Sequence, residues 1–320
     1  MNVTVAICTQ NHRESLRQTL ATLGRAHVPA GLDCELLVVD NASTDGTAEM
    51  VRAHAPLPRM ALRYAHEPRR GVAHARNTAV AESRGEIVLF IDDDVRPYPD
   101  WLEKICAPIV EGRAHAVVGR VKIAPHLERP WMTPRQRAWM ASTETLDAED
   151  PPAIISANAA LSKEVFRRVP CFDTELGPGR LGFWEDSLFS FQLKEAGYRI
   201  ASAFDAVAEH HFDESRLSRS SFLERARKEG RSWAYVAHHW EHREVAAPRR
   251  MILKSALYLA KRRAIERPRR HNPEGLPEWE MDAVVQIHFH RQYLAERARP
   301  RNYERRGLVK LGGGETCPPA

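Results

Sequence analysis

Gly85-Glu-Ile-Val-Leu-Phe-Ile-Asp-Asp-Asp-Val-Arg-Pro-Tyr-Pro-Asp-Trp101 runs from a glycine through five consecutive apolar residues into three adjacent carboxylates. A segment this short and this apolar reads as a strand buried on both faces. Side chains alternate along an extended chain, so Asp92 and Asp94 point one way where the strand leaves the sheet, and Asp93 the other. Two carboxylates on one side repel unless something positive sits between them. A divalent cation takes hard oxygen ligands and completes its shell with phosphate oxygens, so it is the natural candidate. Three aspartates elsewhere would read as a solvated turn; here their place at the end of a buried strand points to a site. Pro97 and Pro99 stop the strand, and Asp100 is placed to cap a helix carrying Trp101, Leu102 and Ile105.

On the N-terminal side, residues 3–9, 34–40 and 61–66 read as three further strands. Between them, a helix starting within residues 11–14 carries Leu16, Leu20 and Leu23 on one face, and another covers residues 47–55. A third, built of small residues, covers 72–83 and leads into the strand above. Alternation of strand and helix with short turns predicts an α/β unit with a mainly parallel sheet and helices on both faces. Ligands of such sheets bind outside the carboxyl ends of the strands. Asp40 and the Asp92–Asp94 run converge there.

The chain has 320 residues, 43% of them hydrophobic, enough for one large domain or somewhat more. No run of 18 uncharged apolar residues occurs, so no segment is expected to span a bilayer. The N-terminus enters a strand without a basic start or cleavage site, so no secretory signal is expected. Cys8, Cys34, Cys106, Cys171 and Cys317 are odd in number and contain no Cys-x-x-Cys pair. That pattern suits reduced thiols in a cytoplasm and argues against structural zinc. From Glu241 onward 17 Lys and Arg stand against 10 Asp and Glu, whereas the preceding residues are slightly acidic. An acidic site needs a cation before it can hold a phosphate, and the basic tail alone does not indicate nucleic-acid binding.

Between residues 122 and 152 five prolines interrupt the pattern, and Trp131 and Trp139 stand in a polar setting. A long irregular segment of this kind suits an acceptor-side lid. From Ser221, with Glu224 at capping-box spacing, the chain reads as helical. Residues 251–264 combine Ile252, Leu253, Ala256 and Leu257 with the cations of 261–263 and 267–270. Such a helix can lie on an anionic membrane, at the inner face of the cytoplasmic membrane for a cytoplasmic protein, or pack on the domain or on a second copy in a homodimer.

Val3-Thr-Val-Ala-Ile-Cys-Thr9, Val38-Val-Asp-Asn-Ala-Ser-Thr-Asp-Gly-Thr47, Gly71-Val-Ala-His-Ala-Arg-Asn77 and Phe90-Ile-Asp-Asp-Asp94 resemble, in order, the motifs of family 2 glycosyltransferases. Ser156-Ala-Asn-Ala-Ala160, Phe172 to Gly179 and Gly182-Phe-Trp-Glu-Asp186 resemble the acceptor-side motifs of the same family. The resemblance implies an A-type glycosyltransferase fold, with a nucleotide-sugar half at residues 1–120, an acceptor-side half with the lid at 121–215 and a helical extension at 216–320. It implies that Thr9 and Asp40 contact the nucleoside and that Asp92 faces the ribose and metal region, with Asp93 and Arg76 on the donor side. It further implies that Asp94 binds Mg²⁺ or Mn²⁺, with His210 as second ligand, and that Asp186 is the general base, with Glu185 beside it. The reaction expected is metal-dependent, inverting transfer from a nucleoside diphosphate sugar, UDP- or GDP-linked, to a hydroxyl of a glycan, a lipid-linked sugar or a small molecule. The Gln-x-x-Arg-Trp signature of processive synthases is missing, so one sugar per encounter is expected. The rivals are a sugar-phosphate nucleotidyltransferase, disfavoured because Thr9-Gln-Asn-His-Arg13 has no glycine, and a non-catalytic binding protein on the same fold.

Overall fold

The computed structural model describes residues 1–266 and 273–311. They fall into two compact units, one of Met1–Thr174 with Glu185–Phe212, the other of Glu175–Trp184 with the described residues from Asp213 onward. The Arg-rich run at 267–270, Gly312–Gly314 and Cys317 lie outside the described residues.

In the first unit β1 (Asn2–Thr9), α1 (Arg13–Leu23), β2 (Asp33–Asp40), α2 (Thr47–Arg52), β3 (Met60–His66), α3 (Val72–Glu82) and β4 (Ile87–Ile91) alternate as expected. The second helix stops three residues short of the expected end. After β4 come β5 (Val95–Pro97), α4 (Trp101–Val110), β6 (Ala116–Ile123), α5 (Pro134–Trp139), β7 (Asn158–Ser162), α6 (Glu185–Glu195) and β8 (Ile200–His210). Asp100 sits at the first boundary of α4 but makes no side-chain cap; it pairs with Lys104.

The strands form one sheet in the order β3-β2-β1-β4-β7-β6-β8-β5. β1 lies parallel to both β2 and β4, while β7 is antiparallel to β4 and β6, and β5 closes the edge antiparallel to β8. Every residue of β4 is buried, as its unbroken apolar run requires. The reversed β7 is pinned by Asn158, which accepts from Trp101 Nε1 at 2.7 Å and donates to the carbonyls of Arg120 and Ala206. A Cβ at Gly119 would lie 2.3 Å from the Asn158 amide, so glycine is needed there. This topology brings the carboxyl ends of β1, β2, β4 and β8 and the amino end of β7 to one edge.

Cys8, Cys34 and Cys106 are free thiols. Cys171 is disulfide-bonded, against the expectation of reduced thiols throughout. Among the described residues no helix is long and apolar enough to cross a membrane.

The second unit is built on α7 (Arg219–His239), α8 (Pro248–Glu266) and α9 (Glu278–Glu296). α7 begins two residues before Ser221: Ser218 is the cap, accepting from the Ser221 N–H, and Glu224 pairs with Arg227 and Arg231 instead. α7 meets α9 at Gly230, where a Cβ would stand 2.3 Å from the Val285 carbonyl oxygen and 2.8 Å from the Phe289 nitrogen. Helix propensity alone would make Gly230→Ala stabilising by up to ~1 kcal/mol. The obstructing atoms are backbone, so the helices must part, at about 1–3 kcal/mol. We expect a net loss of stability; a urea midpoint that stays or rises would contradict this contact.

A buried charge cluster fixes the end of α9. His239 Nδ1 accepts from the Asn302 N–H at 3.1 Å, so its Nε2 donates to Glu296 at 3.0 Å. Gln292 and Arg299 donate to the same carboxylate. Burial alone would raise the Glu296 carboxyl; these partners outweigh it and bring it down to about 2. A carboxyl depressed in the folded state contributes stability that is full above its unfolded pKa and fades as pH falls towards the folded one. Glu296→Gln should therefore cost about 2 kcal/mol at pH 7, the gap to wild type closing between pH ~4.5 and ~2. Thermal midpoints across that range check it, and a gap that widens in acid would contradict it.

Candidate active site

β4 ends at Ile91, and the three aspartates follow in a turn closed by the Val95 N–H donating to the Asp92 carbonyl at 3.2 Å, so the strand alternation expected of them does not apply. Asp93 turns towards β1: the Thr9 hydroxyl donates to its Oδ2 at 2.6 Å, and His12 Nδ1 lies 3.2 Å from its Oδ1. The Thr19 hydroxyl holds its carbonyl at 2.8 Å. Thr9 and Asp93, both expected on the donor side, are thus bonded to each other.

Asp94 is buried, with Oδ1 at 3.2 Å from His210 Nε2. His210 ends β8, and its Nδ1 lies 2.7 Å from the Met140 carbonyl oxygen. A carbonyl only accepts, so Nδ1 carries a hydrogen and Nε2 is the ring nitrogen turned to the carboxylate. That nitrogen and the carboxylate oxygen can share a proton or be bridged by a metal ion. The outer hydrogen bond that fixes the ring is what a ligating histidine requires. His211 faces the opposite way, towards Glu209 and His126, while its N–H donates to the Asp94 carbonyl. No group of three or more His, Cys, Asp or Glu among the described residues is arranged to hold a metal. One carboxylate and one imidazole fit Mg²⁺ or Mn²⁺ if phosphate oxygens and water complete the shell.

Asp92 is part-exposed, and Arg76 Nη2 is 3.9 Å from its Oδ1. Although part of the side chain meets solvent, the protein packed around its carboxyl removes enough water to push it up to about 6; Arg76 opposes the rise and Asp94 adds to it. Arg76 comes from the middle of α3 and is itself buried. Its Nη1 donates to Glu185 Oε1 at 2.8 Å and to Asp186 Oδ1 at 2.9 Å. Burial works against the guanidinium charge, but Asp186, Glu185 and Asp92 together raise its pKa. One cation therefore spans from the aspartate run to the first turn of α6.

Asp186 is fixed further by Ser156, whose N–H donates to Oδ2 at 2.9 Å and whose hydroxyl donates to Oδ1 at 2.6 Å. Glu185 beside it is pushed up to about 7 by burial and by the Asp186 charge, against Arg76. Asn77, one residue beyond Arg76, exchanges two 2.9 Å hydrogen bonds with the Phe172 backbone and is a packing residue.

Asp40 ends β2 buried. It accepts from the Ser43 N–H and the Tyr64 hydroxyl, each at 2.9 Å. It caps the turn that follows and retains lone pairs on both oxygens for a further donor. Burial, then the hydrogen bond to Asp40, push the Tyr64 phenol up to about 12. Asn41 ties that turn to the next loop, donating to the Glu67 and Arg69 carbonyls and accepting from Gly71. Ser156, Met140 and Tyr64 carry no role in a reading of the sequence alone; only Ser156 lies in a quoted motif.

A family model described as Glycosyl transferase family 2 matches residues 4–169, more than half of the chain. The chain belongs to that family. As a family 2 glycosyltransferase it is 28% identical over 122 residues to the succinoglycan biosynthesis protein ExoM of Rhizobium meliloti (strain 1021), covering 38% of this chain and 39% of that one. The match thus spans well under half of that relative's length. Among solved structures, the mannosyltransferase PcManGT of Pyrobaculum calidifontis, in complex with GDP-Man and Mn²⁺, superposes with a TM-score of 0.54 at 23% identity. It covers 92% of this glycosyltransferase and 74% of that chain. GalNAc-T7 with UDP, GalNAc and Mn²⁺ gives 0.52 at 15% identity, covering 75% of this chain and 48% of that chain. At such identities the likeness shows the fold, which is the expected A-type glycosyltransferase fold. Family membership speaks for the glycosyltransferase family over the nucleotidyltransferase.

Proposed function

We propose that this glycosyltransferase moves a sugar from a nucleoside diphosphate donor to an acceptor hydroxyl in one metal-dependent, inverting displacement. The observation that carries the proposal is the reach of Arg76, whose Nη1 donates to Asp186 at 2.9 Å while its Nη2 stands 3.9 Å from Asp92, two residues before the Asp94 carboxylate that pairs with His210. Mg²⁺ or Mn²⁺ would be held by Asp94 and His210, and when bound would neutralise the charge growing on the departing diphosphate.

The chain's own residues do the rest. Asp40 accepts the ring N–H of uracil or guanine, which favours UDP or GDP; the neighbours' GDP-Man and UDP are in keeping with this. Thr9, held by Asp93, lines the nucleoside, and Asp92 faces the ribose. Arg76 and Ser156 hold the Asp186 carboxyl in place. Asp186 takes the acceptor's proton as the hydroxyl oxygen attacks the anomeric carbon from the face opposite the leaving diphosphate. The donor side falls within residues 1–120 and the acceptor side within 121–215, and the acceptor is a hydroxyl on a glycan, a lipid-linked sugar or a small molecule.

Thermal midpoints with UDP, GDP and dTDP, each with and without Mn²⁺, test the proposal. A nucleotide bound only to the folded state at a hundred times its Kd adds about 2.7 kcal/mol. We expect UDP or GDP to raise the midpoint strongly with Mn²⁺ and weakly without it. No metal-dependent shift with any nucleotide would overturn the proposal.

A further inference from the structure

The packing side of α8 is fully engaged within its own unit. Leu259 is buried, Arg262 lies 4.9 Å from the centre of the Trp279 ring, and Arg263 pairs with the buried Glu280. The outward side is different. Leu253 is 61% exposed, and Leu257 and Ile265 are each 62% exposed. With 3.6 residues per turn, Leu253 and Leu257 lie one above the other, and Arg250, Lys254 and Lys261 form the adjoining stripe, with Ile265 beyond it. These three cations are without an acidic partner among the described residues. No acidic residue of α8 is exposed: the single one, Glu266, is part-buried and bound to Arg262.

An apolar stripe edged by unpaired cations has two needs, removal from water and a source of negative charge. A second copy of this helix laid across it by a twofold axis would answer the first and bring like charges together. An anionic lipid surface answers both. We infer that α8 is a membrane-docking helix that lies in the plane of an anionic bilayer surface, its leucines among the acyl chains and its lysines at the headgroups. At about 1.5 Å per residue the helix presents a rod of roughly 28 Å, long enough to hold the enzyme at a surface and too polar to cross it. This inference does not rest on the proposed reaction and can fail separately from it.

Flotation of the full chain at low salt tests it, with vesicles of phosphatidylcholine alone and of phosphatidylcholine with phosphatidylglycerol. The protein should float with the anionic vesicles, stay down with the neutral ones and be released by salt. Lys254→Gln with Lys261→Gln should lower partitioning on the order of thirtyfold, and Leu253→Ser with Leu257→Ser by at least about tenfold. All four positions are exposed, so both double variants should keep the wild-type thermal midpoint and nucleotide binding. Failure of wild type to float with anionic vesicles, or flotation untouched by both double variants, would overturn the inference. So would a solution dimer that Leu253→Ser with Leu257→Ser dissociates while neither form binds vesicles, because the face would then belong to a second copy.

Discussion

Asp94→Asn is expected to lower turnover roughly a thousandfold, corresponding to about 4 kcal/mol of lost transition-state stabilisation, while leaving the ligand-free protein at least as stable as wild type. The two signs have one origin. Asp94 adds its charge to a crowded edge, raising the carboxyls of both Asp92 and Asp93. Removing that charge relieves its neighbours. The asparagine side chain can also keep a hydrogen bond to His210 Nε2, donating through its amide nitrogen or accepting through its oxygen. The folded state therefore has no reason to suffer. The proposed cation site would lose its carboxylate ligand, and the Mn²⁺-dependent rise in midpoint with nucleotide should vanish along with activity. A variant that keeps activity and the metal-dependent shift would remove Asp94 from the site; one that merely unfolds would show that its role is structural.

Asp186→Asn should lower kcat by about 10²–10⁴ with the nucleotide-dependent shift intact, since the role proposed for it is on the acceptor. An asparagine placed to accept from the Ser156 N–H turns its amide towards Arg76, which still has Glu185 and Asp92 as partners. The donor side should thus be little disturbed. Glu185→Gln is the matching control. Glu185 is the more buried of the two acids and carries the raised pKa, near 7. If Glu185→Gln abolished turnover and Asp186→Asn spared it, the base would be reassigned to Glu185. Loss of nucleotide binding in Asp186→Asn would instead point to a donor-side role.

The sequence made the strand pattern legible because β1, β2 and β4 are buried runs that local periodicity can detect. The alternation expected of Asp92, Asp93 and Asp94 rested on an extended chain, whereas the run lies in a turn beyond the end of β4. Long-range contacts were not legible. The partners of Arg76 at the far end of its reach lie about 110 positions onward, in Glu185 and Asp186, and no local pattern connects them. The orientation of His210 depends on the Met140 carbonyl, a backbone atom of a segment read only as irregular. The start of α7 was missed because Ser218 and Ser221 are both good caps, and only packing decides between them. The disulfide at Cys171 could not be read from spacing, which favoured free thiols.

The most direct test of the central claim is anomalous diffraction from crystals containing Mn²⁺ and the nucleotide sugar selected by the thermal screen. A manganese peak within coordination distance of both the Asp94 carboxylate and His210 Nε2, bridging to the diphosphate, is the predicted result. Bound nucleotide with no peak at that pair, or with the ion at a different set of side chains, would contradict it.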